Sequence, residues 1–291
     1  MGEYKIEKWE NMKTLLSLFD YSGNWSRPFL ESGEWEVIRW DIKIDKFLDI
    51  KNLDSCETCL EILGLDIDGI LAAPPCTDFA VSGAQYWKIK DANGNTEKSL
   101  ELVRQVLRLV DLYRPTDPDY DGTFFWCMEN PVGRIPKFFP ELGKPLIIEP
   151  YEYAGWNELN TKELLRLKQI ARKEYKDITA EEAEFVLKCE AYTKKTCLWG
   201  EFNRELLIKF KKPIQPIKVC KQGSPLQRLG GKNETTKEKR SFTPNGFARA
   251  FFEANKNYKP PNDEYYKAFG IYRYSDYDSF RRRLKKIINN D

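Results

Sequence analysis

A chain of 291 residues with 41% hydrophobic and 14% aromatic side chains can bury a sizeable core, which excludes a disordered tail or a small disulfide scaffold. Its 47 basic and 45 acidic residues nearly cancel, and it has no histidine, which removes Ser–His and Cys–His relays and every His-ligated metal site. Seven cysteines, an odd number, with no secretory leader and no apolar run of membrane-spanning length, set the expectation of reduced thiols in a cytoplasmic, non-membrane protein. Cys56 and Cys59 form a CxxC pair with no second pair to complete a zinc site, so no metal is expected.

In chain order, KTLLSLFD (13–20) reads as an apolar strand ending in a turn, and SGNWSRPF follows with Gly, Asn and Pro as breakers. WEVIRWD (35–41) is a second strand rich in β-branched and aromatic residues, and GILAA (69–73) a third, stopped by Pro74 and Pro75. Leu100, Val103, Val106, Leu107 and Val110 recur at helical spacing between Thr96 and Tyr113. TFFWCMEN (123–130) is a fourth strand, ended by Pro131. Two helices are read over 160–190, the first capped by Asn160 or Thr161, the second by Thr179 with Glu182 completing a capping box. TCLWGEF (196–202) is a further strand, 213–243 a polar loop, and 244–255 a short helix before a basic final helix. Strands alternating with helices predict an α/β fold with a mostly parallel central sheet and helices on both faces. The expected division is a core over 1–155, a helical insert over 156–192, completion of the core over 193–255 and a basic tail over 256–291.

In such a sheet, ligands sit beyond the carboxyl ends of the strands. Four strand ends carry suggestive residues: Asp20 to Asn24, Asp41, Pro74-Pro75-Cys76, and Glu129-Asn130-Pro131. Asp41 lies 18 residues after Gly23, where an acid can accept hydrogen bonds from ribose hydroxyls. The first loop lacks a full GxGxxG, which favours an adenosine cofactor without a pyrophosphate. Two prolines hold Cys76 rigidly at the rim as a candidate nucleophile, and Glu129 at the neighbouring end is a candidate proton donor. Cys127, inside a strand, reads as a buried hydrophobe.

Residues 19–26, Asp41, Asp49-Ile50, Pro75-Cys76 and Glu129-Asn130 occur in the order and rough spacing of the DNA cytosine-5 methyltransferases. The segments APPCTDFAVSGAQYW, ENPVGRI, YTKKTCLWG and the run from SPLQRLGGK to TPNGFARAFFEAN resemble the compact bacteriophage members of that family. The resemblance covers most of 13–255. It implies a Rossmann-like S-adenosylmethionine-dependent methyltransferase with a reduced recognition region, acting in the cytoplasm of a bacterium or infected host. It implies that Cys76 adds to C6 of cytosine, that Glu129 serves N3, and that Lys195 holds the base. It also implies a cofactor pocket of Phe19, Asp20, Ser22, Gly23, Asn24, Asp41, Asp49 and Pro74. In that pocket Phe19 would lie near the adenine, Asp41 on the ribose and Asp49 on the adenine amino group.

Two departures from the family pattern stand out. Tyr21 and Asn24 replace glycines of the first loop, and no QxRxR precedes TCLWG, where only Thr193-Lys194-Lys195 stands. About forty residues separate Gly200 from Pro244, short for a recognition domain. Within them Gln227, Arg228, Lys232, Lys237 and Arg240 are the candidate nucleic-acid contacts, and the basic tail adds a second polyanion surface. Rival readings are a methyltransferase of adenine or cytosine amino groups, which would place an aromatic after the proline pair instead of Cys76, and a homologue that binds DNA or cofactor without turnover. RNA or a free nucleotide could replace DNA as substrate.

Overall fold

The computed structural model describes residues 12–46, 48–52, 65–115, 122–221, 225 and 241–259. In chain order its main elements are β1 (Lys13–Leu18), α1 (Arg27–Ser32), β2 (Trp35–Trp40), β3 (Gly69–Ala72), α2 (Trp87–Ala92), α3 (Asn95–Tyr113) and β4 (Phe125–Pro131). There follow α4 (Ile135–Phe138), β5 (Leu146–Ile148), α5 (Thr161–Ala171), α6 (Ala180–Lys188), β6 (Thr196–Glu201), α7 (Arg204–Lys209) and α8 (Asn245–Asn255).

The strands form one six-stranded sheet in the order β2-β1-β3-β4-β6-β5. β2, β1, β3 and β4 are mutually parallel, and β6 runs antiparallel between β4 and β5. The protein is therefore α/β with a mostly parallel sheet flanked by helices, an architecture compatible with a Rossmann-like fold. β1 passes to β2 on one side and has β3 on the other, so a topological switch point opens beyond the carboxyl ends of β1 and β3.

The central strands β1, β3 and β4 are buried on both faces, so they read as continuous apolar runs rather than as alternation. Leu16, Leu18, Ile70, Trp126 and Met128 pack on one side with Leu100, Val103, Val106 and Val110 of α3. Leu15, Leu71, Phe125 and Cys127 pack on the other with Phe29 of α1, Leu207 of α7 and Phe247 and Phe251 of α8. Helices α5 and α6 carry their own small core, with Leu167, Ile170, Ala183 and Val186 closing on Ile217 and Val219. The first stretch of the predicted recognition loop is thus occupied in covering the insert. Thr179 and Glu182 form the expected capping box, and Asn160, the expected cap of the first insert helix, forms one as well with Glu163.

Five elements were not anticipated from the sequence: α1, α2, α4, β5 and α7. α1 starts inside the predicted breaker segment, with Pro28 tolerated in its first turn, where the missing N–H costs nothing. α7 follows β6 directly and is capped by the side chain of Asn203. β5 has three residues on the sheet edge, too few to carry a periodic signal. Among the described residues no helix is long and apolar enough to cross a membrane, and no group of His, Cys, Asp and Glu is placed to hold a metal.

Candidate active site at the switch point

Parallel pairing brings the candidate strand ends to one rim. Leu18 ends β1 opposite Ala72 at the end of β3 and Trp40 at the end of β2, while Ala72 faces Met128, the residue before Glu129. The N–H of Ala73 donates to the Leu18 carbonyl at 3.1 Å, extending the ladder into the loop that carries Pro74 and Cys76.

That loop is clamped by the segment following β4. Asn130, fully buried, donates its amide to the Pro74 carbonyl at 2.8 Å. Arg134, only 7% exposed, donates Nε to the Asp78 carbonyl at 2.9 Å, and its other nitrogens reach Asp91 at 2.9 Å and Thr96 Oγ1 at 2.7 Å. Its guanidinium lies over the Trp87 ring at 4.8 Å. Val81 N–H donates to the Val132 carbonyl and Arg134 N–H to the Phe79 carbonyl, each at 3.1 Å. Gly133 is required there, because a Cβ would fall 2.1 Å from the Phe79 oxygen. The Asp78 carboxylate pairs with Lys90 at 2.9 Å and accepts from the Ser99 hydroxyl. Asn130 and Arg134 therefore act as braces for the cysteine loop.

Cys76 is half-buried. Burial pushes its thiol pKa up; the Lys194 ammonium opposes this and Glu129 adds to it. Burial likewise raises the Glu129 carboxyl, again against Lys194. The thiol, the carboxyl group and one lysine thus share one electrostatic environment. It keeps Cys76 a thiol at neutral pH and favours a protonated Glu129 more than water does.

The lysine whose charge reaches both groups is the neighbour of the one read in the sequence. Lys195 uses its carbonyl to accept from Val132 N–H at 3.4 Å, and its charge acts on Glu149. Lys194 is the cation whose charge reaches both Cys76 and Glu129. Consecutive residues of an extended chain point to opposite sides, so a shift of one residue changes which lysine faces the rim.

The loop after β1 closes on its own carboxylate. Asp20, 6% exposed, accepts from Ser17 Oγ at 3.0 Å, Ser26 N at 3.2 Å and Ser26 Oγ at 2.7 Å, all on one oxygen. Ser22 Oγ lies 3.5 Å from the other. Asp20 is thus the internal anchor of the turn. Phe19 is held in the left-handed region at φ 60, strained for an aromatic residue, and packs against the same core as Leu48 and Ile50. Gly23 is buried and closes the turn, its N–H donating to the Asp20 carbonyl at 3.0 Å. Asn24 accepts from Arg27 at 2.6 Å and donates to the Thr243 carbonyl at 3.4 Å. Asp41 and Asp49, both half-buried, each cap the next turn with one oxygen, accepting from Lys43 N at 2.8 Å and Lys51 N at 3.0 Å. Each keeps a second oxygen outside that turn.

Strand pairing thus puts Phe19, Asp20, Ser22, Gly23, Asn24, Asp41, Pro74, Cys76 and Glu129 at or just beyond the carboxyl ends of β1 to β4, while Asp49 lies further along the segment after β2. Gln227, Arg228, Lys232, Lys237 and Arg240, like Cys56, Cys59 and the basic tail, lie outside the described residues. Sequence reading missed Arg134 and Lys194. A lone cation between Val132 and Ile135 was the available signal for Arg134, since a charge in an apolar stretch demands a buried partner. In comparisons with known proteins, no family model matches the chain and no curated protein does.

Proposed function

We propose that this protein transfers a methyl group from S-adenosylmethionine to C5 of cytosine in DNA, with Cys76 as nucleophile and Glu129 as acid. One observation carries the reading: a thiol and a carboxyl group stand at the carboxyl ends of adjacent parallel strands, beside the switch point between β1 and β3. The choice of cytosine and DNA comes from the sequence resemblance in APPCTDF and ENPVGRI.

The residues at the switch point fit the cofactor. Phe19 offers an apolar ring for a purine, the half-buried carboxylates of Asp41 and Asp49 suit ribose hydroxyls and an amino group, and the turn at 22–24 follows the end of β1 at the switch point. Bound there, S-adenosylmethionine supplies an electrophilic methyl group.

Cys76 rests as a thiol. Its proton passes to solvent water as the substrate arrives, with Lys194 favouring the thiolate. Its sulfur adds to C6, the C5–C6 electron pair shifts through the ring, and N3 takes a proton from Glu129. C5, now enamine-like, would take the methyl group as its bond to sulfur breaks, leaving the cofactor as S-adenosylhomocysteine. Loss of the C5 proton to a base restores the double bond and expels Cys76 as thiolate, and N3 returns its proton to Glu129. In duplex DNA the base must first leave the stack, at a cost of roughly a few kcal/mol. A cytoplasmic setting, bacterial or in an infected host, belongs to the same proposal.

The test is trapping with DNA containing 5-fluorocytosine, which has no C5 proton to lose. Denaturing gels are expected to give a cofactor-dependent covalent adduct that vanishes in Cys76→Ala, whose turnover falls by on the order of 10⁴-fold or more. An adduct that persists in Cys76→Ala, or methylation of a cytosine amino group by Cys76→Ser, overturns the assignment. Adducts with RNA or dCMP in place of DNA redirect the substrate and leave the chemistry standing.

A further inference from the structure

Glu190 sits where the helical insert rejoins the core. It is 4% exposed and held in the left-handed region at φ 57. Asn157 Nδ2 at 2.8 Å, the N–H of Gly246 at 2.9 Å and the N–H of Asn245 all converge on its carboxylate. Burial pushes its pKa up, and these donors, with Arg249, oppose the rise. Every partner is a donor, so the site is complementary to an acceptor-only group; an amide would turn an N–H against another N–H.

Asn245 and Gly246 open α8, and their N–H groups have no partner within the helix. Glu190 satisfies both and places a negative charge at the positive end of the helix. The fit is close: a Cβ on Gly246 would lie 2.4 Å from the Tyr153 oxygen and 3.0 Å from Glu190 Oε2. The start of α8 in turn touches the loop after β1. Thr243, just before the helix, accepts from Asn24 Nδ2 at 3.4 Å, and the Phe247 and Phe251 rings lie 6.0 and 5.6 Å from the Trp25 ring.

We infer that Glu190 is a positioning residue for the donor loop: by pinning the first turn of α8 it sets where Asn24 and Trp25 stand, and so couples the helical insert to donor affinity. The affinity part rests on reading residues 19–26 as the donor site; the mechanical coupling does not.

The experiment compares wild type, Glu190→Gln, Glu190→Asp and Asn255→Ala in the full-length protein. Asn255 braces the far end of the same helix, accepting from Asn203 N and donating to the Phe251 carbonyl, each at 2.8 Å. Amide hydrogen exchange is measured without ligand, and S-adenosylmethionine binding by calorimetry. Glu190→Gln is expected to speed exchange in peptides covering 20–26 as well as 243–248, and to weaken binding about tenfold. Glu190→Asp, one methylene shorter, restores part of both. Asn255→Ala lowers the melting temperature and leaves exchange at 20–26 and affinity at wild-type values. Unchanged exchange at 20–26 in Glu190→Gln, or an equal change in Asn255→Ala, overturns the inference. If wild type binds no S-adenosylmethionine, the donor reading fails, and the exchange comparison still decides the coupling.

Discussion

The loops that leave β1 and β3 lie side by side on one rim, yet they are built in opposite ways. The loop after β1 is closed by Asp20, whose serine partners are all within six residues of it. The loop after β3 is braced from a distance, by Asn130 and Arg134, both bonding to carbonyls 56 residues earlier, and by Ser99. A turn closed by its own side chain forms from local sequence. The geometry of the cysteine loop depends on β4 having paired with β3, so Cys76 is set only once the sheet is assembled.

That contrast predicts separable failures. The largest concerns the shared field of the cysteine rim. Glu129→Gln is expected to lower kcat/KM by about 10²- to 10⁴-fold. It should also quicken iodoacetamide alkylation of Cys76 at pH 8, because the carboxylate helps to hold the thiol pKa up. An unchanged alkylation rate would mean that the two groups do not sense each other. Next comes the brace. Arg134→Met removes the donor from the Asp78 carbonyl and should cut turnover about 100-fold through misplacement of Cys76, with donor affinity unchanged. A parallel loss of donor affinity would show the two loops to be one unit.

Asp20→Asn tests the self-closed loop. It leaves one of the serine donors poorly matched, costs about 1–2 kcal/mol of stability and weakens donor binding several-fold, while Cys76 alkylates at the wild-type rate. The smallest effect is a pH dependence. Burial pushes the thiols of Cys189 and Cys197 up to about 11 from an ordinary 9.0. Both folded values are raised, so the unfolded chain loses these protons first, and stability falls as pH climbs from 9 to 11. Cys189→Val in the insert and Cys197→Val in β6 should each flatten part of that fall in the melting temperature. If only Cys189→Val does so, the thiol beside β4 contributes nothing to the titration.

The amino-acid order alone determined whatever a short window can encode. Apolar runs punctuated by turn-forming residues or proline marked β1 to β4, helical spacing of Leu100, Val103, Val106 and Val110 marked α3, and the cap at Asn160 with the capping box at Thr179 marked the insert. The strand ends that carry Asp20, Asp41, Cys76 and Glu129 followed from the same punctuation. Tertiary structure decided the rest: the placing of β6 between β4 and β5 in the opposite direction, the recruitment of three-residue β5, and the burial of Arg134 under Trp87. It also put the Lys194 charge within reach of Cys76 and Glu129, and Glu190 under α8. These depend on pairings between residues far apart in the chain, and in an extended strand a register change of one residue turns a side chain to the opposite face.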